Sequence, residues 1–199
     1  NDVRSIVTAG DFLYVGLGTG HISRLNESEW LAGTPTPASA RDLWVDLAFP
    51  SRAAVHDIAV GIDQTLWVAS SEGLFSRDLE AEHAPSSWRR FGMIEGLPHP
   101  ELYAIALIGE TEVVTAGIGG LSLGNGDGHF VSLGFERGLP GQHALDVFVD
   151  GQSIWTRGMY GTAKLRDLAA WRSRLAEQAQ PSAETDLDDT LGSPAAGAP

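Results

Sequence analysis

The sequence predicts an all-β chain: a β-propeller of about four blades, each of four antiparallel strands, over residues 1–166. Apolar anchors recur, a glycine trails each of them at constant phase, and a large apolar side chain leads three of them. Ile6, Ile58, Ile105 and Val147 stand 52, 47 and 42 residues apart. Gly20, Gly73, Gly120 and Gly161 follow by 14 or 15 residues, and Trp44, Phe91 and Leu133 precede the last three anchors by 14. Landmarks held in phase over this distance mark a repeat in which each unit buries its apolar faces only against its neighbours.

The second unit shows the plan most clearly. Val55–Val60 reads as a first strand, Asp63-Gln64 as a turn, and Thr65–Ala69 as a second strand rich in residues that suit a pleated surface. Ser71-Glu72-Gly73 turns the chain, Leu74–Arg77 opens a third strand and Trp88–Phe91 supplies the fourth. Phe12–Val15, Glu112–Thr115 and Ser153–Thr156 are the matching second strands, and Asp150-Gly151 is a hairpin signal. By this register Trp67 and Trp155 occupy equivalent points, and both are expected to be buried between blades. The fourth unit has no clear last strand, which suggests part of a larger ring; a closed ring of four is the competing arrangement.

Residues 167–180 read as a short helix. Asp167 is a candidate N-cap, and Leu168, Trp171 and Leu175 share one face that would pack on the propeller's edge. Residues 181–199 carry acids, Pro, Ser, Ala and Gly with few large apolar side chains. That composition predicts a disordered acidic tail.

Composition narrows the function classes. The formal charge is -13, with 13 basic residues against 26 acidic ones and no basic run longer than Arg89-Arg90. Nucleic-acid binding through phosphates is therefore not expected, nor is adsorption to anionic lipid. No stretch is apolar enough for membrane insertion as a helix. The absence of cysteine removes disulfides, thiolate metal sites and cysteine nucleophiles.

Gly16-Leu17-Gly18-Thr19-Gly20 has the look of a phosphate-cradling loop, but Ile22 and Leu25 continue as strand where a helix would be needed, so it reads as a blade turn. Asn125-Gly126-Asp127-Gly128-His129, with Glu136 at the twelfth position, matches a calcium loop by count. Phe130, Val131 and Leu133 again continue as strand, which favours a hairpin. Asn26-Glu27-Ser28 fits the glycosylation sequon by pattern alone. No pair of histidines has a tight metal-binding spacing, and neither a metal nor a cofactor is expected.

Two segments carry a resemblance. Gly96-Leu97-Pro98 leads into Leu102–Ile105, and Gly138-Leu139-Pro140 leads into Leu145–Val147. Together with Asp63-Gln64-Thr65-Leu66-Trp67-Val68-Ala69-Ser70-Ser71-Glu72-Gly73-Leu74, these resemble the two-component regulator propeller repeat. The pattern is broken at Phe49-Pro50, at Val114 and at Gly161-Thr162. The resemblance implies a non-enzymatic, extracytoplasmic (periplasmic or extracellular) module that binds a ligand and passes a signal to a kinase. The alternatives are a propeller enzyme, such as a lyase resembling the virginiamycin B lyase group, and a protein-interaction scaffold.

The candidate ligand-binding residues follow from position in the repeat. His99 and Glu101 come directly after one Gly-Leu-Pro segment and His143 after the other, with Asp57 and Tyr103 close to the same point of their own units. Side chains at matched positions of successive blades converge on the ring axis, and this set would hydrogen-bond a small polar or saccharide-like ligand. No catalytic residue is assigned.

Overall fold

A computed structural model describes residues 2–33, 36, 39–80, 88–151, 153–165 and 168–179. Four antiparallel sheets follow one another along the chain. Blade 1 is β1 (Val3–Ala9), β2 (Phe12–Leu17), β3 (His21–Asn26) and β4 (Trp44–Asp46). Two short helices, α1 (Glu27–Ala32) and α2 (Ser39–Asp42), stand between its last two strands. The side chain of Asn26, in the sequon-like triplet, caps α1 by accepting from the Glu29 amide.

Blade 2 is β5 (Val55–Val60), β6 (Thr65–Ser70), β7 (Gly73–Asp78) and β8 (Trp88–Phe91). Blade 3 is β9 (Leu102–Ile108), β10 (Glu112–Gly117), β11 (Gly120–Asn125) and β12 (Phe130–Leu133). Blade 4 has three strands: β13 (Ala144–Asp150), β14 (Ser153–Gly158) and β15 (Gly161–Leu165). Helix α3 (Leu168–Ala179) follows. Asp167 and the 181–199 tail lie outside the described residues. In the hairpin that joins β13 and β14, Asp150 pairs with Ser153, so the turn lies one position later than the Asp-Gly signal implies, with Gly151 at φ +56°.

The repeat landmarks now have physical reasons. Gly73 and Gly120 open third strands at φ +133° and +112°, a region closed to most side chains. A Cβ on Gly73 would meet the Phe91 carbonyl, and one on Gly120 the Leu133 carbonyl. At these two positions the glycine is where the fourth strand's landmark residue passes the third strand. Leu97 and Leu139 of the Gly-Leu-Pro segments are buried plugs in the cores between blades 2 and 3 and between blades 3 and 4. At the first junction Ala48 adopts φ +50° and Phe49 packs edge-on against Phe75 and Trp88. Ala48-Phe49-Pro50 therefore does the work of Gly-Leu-Pro, at a backbone cost of about 1–2 kcal/mol for a left-handed alanine.

The inner strands β1, β5, β9 and β13 pack in succession, and three separate cores lie between the four blades. The residue after each anchor pairs across to a second-strand side chain that faces the next blade: Tyr14, Trp67, Val114 and Trp155. The first three are buried in successive cores. Trp155 is not: 40% of it is exposed, beside Phe148 at 65%, because among the described residues no blade packs on that face. This corrects the expectation that both tryptophans are buried. The anchors face the preceding blade, so Ile58, Ile105 and Val147 are buried while Ile6 is 60% exposed. With both terminal faces open, the blades form an open stack rather than a closed ring of four.

Leu168, Trp171 and Leu175 of α3 are buried in the core between blades 3 and 4, and the helix lies against β11 and β12. Arg172 pins it by a forked ion pair to Glu112 of β10. That bond, first, and the Glu112 charge hold the guanidinium above its already high ordinary value.

Candidate functional site

The inner strands share an irregularity that shapes their ends. Pairing between first and second strands skips a residue at Arg4, His56, Tyr103 and Leu145, the positions two before each anchor. Such a bulge kinks the strand and re-aims side chains near its end. Two of the four residues, His56 and Tyr103, stack with ring centroids 5.8 Å apart.

His56 Nδ1 lies 2.7 Å from the Leu102 carbonyl oxygen, which can only accept, so Nδ1 carries a proton. In the neutral ring Nε2 is then an acceptor. His99 has the opposite arrangement: its Nδ1 accepts from the Glu101 amide at 3.0 Å, leaving Nε2 as the donor. Burial, and after it the Glu101 carboxylate, raise the Tyr103 phenol above its ordinary value. Tyr103 therefore stays a neutral donor and acceptor through the physiological range. His56, His99, Glu101 and Tyr103 thus supply complementary hydrogen-bonding groups where blades 2 and 3 meet.

His143 is one step further round. The Ile118 amide donates to the Glu101 carbonyl, and Ile118 forms a β-bridge with His143, so three chain segments run side by side. Two such spacings put the backbones of Glu101 and His143 roughly 9–10 Å apart. His143 lines a cavity of about 480 Å³ with Phe135, Pro140, Gln142, Met159 and Tyr160. Phe135, Met159 and Tyr160 are more than half exposed. His99, Glu101 and Tyr103 do not line this cavity.

Asp57 has a different setting. Its Oδ1 accepts from the Ser5 hydroxyl at 2.7 Å and the Ile58 amide at 2.9 Å, while Oδ2 accepts from the Ile105 amide at 2.9 Å. One carboxylate thereby brackets β1, β5 and β9. Sequence reasoning missed His56 and Tyr160. The signal for His56 was its register with Tyr103, two residues before an anchor; Tyr160 had none, because its place depends on how the last hairpin folds over Gly141.

The glycine-rich hairpin after β11 forms as a turn. Arg89 donates to the Gly126 carbonyl and, at 2.8 Å, to the Asp127 carbonyl, so a guanidinium occupies oxygens a cation would need. Among the described residues no cluster of three or more His, Asp or Glu could hold a metal ion. No helix among them is long and apolar enough to cross a membrane.

No protein-family model matches the chain, and no curated protein sequence does. Solved structures do. The chain is similar to the extracellular domain of a protein assigned to a hybrid two-component system of B. thetaiotaomicron, with TM-score 0.66 and 19% identity over 87% of this chain and 23% of that one. A second such domain from the same organism gives TM-score 0.59 and 19% identity over 82% of this chain and 21% of that one. Virginiamycin B lyase from Staphylococcus aureus gives TM-score 0.56 and 12% identity over 83% of this chain and 55% of that one. The chain spans less than a quarter of each sensor chain. At these identities the likeness is one of fold, and what it establishes is that these repeats are β-propeller blades.

Proposed function

We propose that the chain is a non-enzymatic ligand-sensing propeller module that works outside the cytoplasm in signal transduction. Its site would lie on the face formed by the Gly-Leu-Pro segments. The observation that carries this reading is the juxtaposition of unlike groups at the same end of successive inner strands. His56, His99, Glu101 and Tyr103 offer hydrogen bonds, and the neighbouring cavity sets exposed Tyr160 and Phe135 beside His143. Flat apolar rings next to directional polar groups suit a small polar molecule of saccharide type. The likeness in fold to extracellular domains of two-component systems supports a sensing role and an extracytoplasmic setting. Asp57 contributes by holding the strands in register.

Saturation-transfer NMR against neutral and acidic mono- and disaccharides tests the proposal. At least one should receive magnetisation from the protein, and the variant carrying His99→Ala, Glu101→Ala and His143→Ala should lose the signal while keeping its melting temperature. Silence across the set, or undiminished transfer to the triple variant, would remove this site. Chemical turnover of a sugar would move the chain to the enzyme reading.

A further inference from the structure

The segment that matches a calcium loop by count forms the hairpin turn between β11 and β12. It contains Asn125-Gly126, the chain's only Asn-Gly pair. An asparagine side chain can be attacked by the backbone nitrogen of the next residue, and a glycine there leaves that nitrogen unshielded by a Cβ. Three conditions for the attack meet in this turn. Gly126 lies beyond the strand ladder, which ends at the Glu112–Asn125 pair, and no backbone carbonyl among the described residues accepts from its amide. The Asp127 amide donates to Asn125 Oδ1 at 3.1 Å, while Asn125 Nδ2 donates to Asp127 Oδ2 at 3.0 Å. All three residues line an open cleft of about 440 Å³, so water reaches them.

The bond from Asp127 falls on the atom where charge develops. Attack at Cγ turns Oδ1 into an oxyanion, and a backbone N–H already aimed at that oxygen stabilises the oxyanion more than the neutral amide. Asn26 supplies an internal contrast. Its side chain also accepts a backbone bond, from Glu29, but the Glu27 amide that would have to attack donates to the Asp11 carbonyl at 2.8 Å. The nucleophile is tied at Asn26 and free of the backbone at Asn125.

We propose that Asn125 is a self-modifying site, converting to aspartate and isoaspartate without an enzyme. The Gly126 nitrogen bonds to Cγ, the Cγ–Nδ2 bond breaks, and Nδ2 leaves as ammonia with the Gly126 amide proton. Water then opens the cyclic imide. Cleavage at Cγ restores the peptide bond and leaves an aspartate at position 125. Cleavage at the main-chain carbonyl routes the backbone through Cβ and Cγ and leaves isoaspartate. Either product sets a new negative charge beside the Asp127 carboxylate, in place of a hydrogen bond. The isoaspartate also adds a main-chain carbon just before the Gly126 and Asp127 carbonyls, which Arg89 of β8 holds. Conversion therefore weakens this tie between blades 2 and 3. None of these residues lines the cavity at His143.

Ageing the full chain at mildly alkaline pH tests this, with Asn26 and Asn125 followed by peptide mass spectrometry and isoaspartate by enzymatic methyl labelling. Asn125 should convert at least as fast in the folded chain as in the chain unfolded in guanidinium chloride, while Asn26 of the folded chain keeps its amide. Gly126→Ala sets a Cβ beside the attacking nitrogen but in open space, so this variant should fold and hold the Asn125 amide over the same period. Anion exchange should separate the converted protein, which should melt below the unconverted one. Slower conversion folded than unfolded overturns the proposal, because the turn would then protect the amide. Undiminished conversion in Gly126→Ala overturns it too, and equal melting temperatures would overturn the weakened tie. Each of these results leaves the saccharide site unaffected.

Discussion

Trp67 and Trp155 sit at the same point of the same strand in blades 2 and 4, yet one is a core residue and the other a surface residue. Trp67 is 4% exposed, stacked on Phe91, which in turn packs edge-on against Phe130 of blade 3. Trp155 meets only its own sheet on that side, with Lys164 over its ring at 4.6 Å. Each follows a buried aliphatic residue, Leu66 or Ile154, in a second strand. The difference comes from whether another blade follows, so position in the repeat fixes where a side chain points and the neighbour decides what it is worth.

The sharpest test of this comparison is energetic. Trp67→Ala should destabilise the chain by about 3–5 kcal/mol, through lost transfer energy and the cavity left between blades. Trp155→Ala should cost less than about 1 kcal/mol in a monomer. Urea denaturation followed by circular dichroism measures both. Equal losses would show that the open face is covered in solution.

A smaller effect separates the two bracketing carboxylates. Asp57→Ala strips acceptors from hydrogen bonds that tie three inner strands and should cost about 2–3 kcal/mol. Asp146→Ala removes one local bond at an exposed position and should cost under about 1 kcal/mol. If the two losses match, the bridge from Asp57 to blade 3 contributes nothing beyond its local turn.

The smallest effect is a titration where blades 2 and 3 meet. The tyrosinate absorbance that disappears in Tyr103→Phe should titrate above the ordinary 10.0, since burial and the Glu101 charge both raise it. Glu101→Gln should lower it only part of the way, because burial is the larger cause. With the folded value above the unfolded one, the associated stability is fully present below about pH 10 and is lost as pH rises through the folded value. A midpoint at or below the ordinary value would place Tyr103 in open solvent, like the unpaired end of the stack.

Much of the candidate site was legible in the sequence, but as position rather than contact. His99, Glu101 and His143 follow the Gly-Leu-Pro segments, and the segments do lie side by side through Ile118. That His99 and His56 adopt opposite tautomers rests on which backbone group each ring meets. The Glu101 amide is two residues from His99, whereas the Leu102 carbonyl is 46 residues from His56 and reaches it only through blade packing. Asp57 was read as a ligand residue because its repeat position points to the axis. Its bond to Ile105, a blade away, has no local trace.

The sequence alone determined what is written in period and phase: the four repeat units, the strand alternation, the glycine near the start of each third strand, and the apolar face of α3. Those features depend on backbone conformations and side-chain directions within a few residues. Tertiary structure decided what depends on a second segment arriving from elsewhere. Ile6 and Trp155 remain exposed, Ala48-Phe49 stands in for Gly-Leu, and one carboxylate holds three strands. The physical reason is that burial and hydrogen bonding belong to pairs of surfaces, whereas a repeat encodes only one member of each pair at a time.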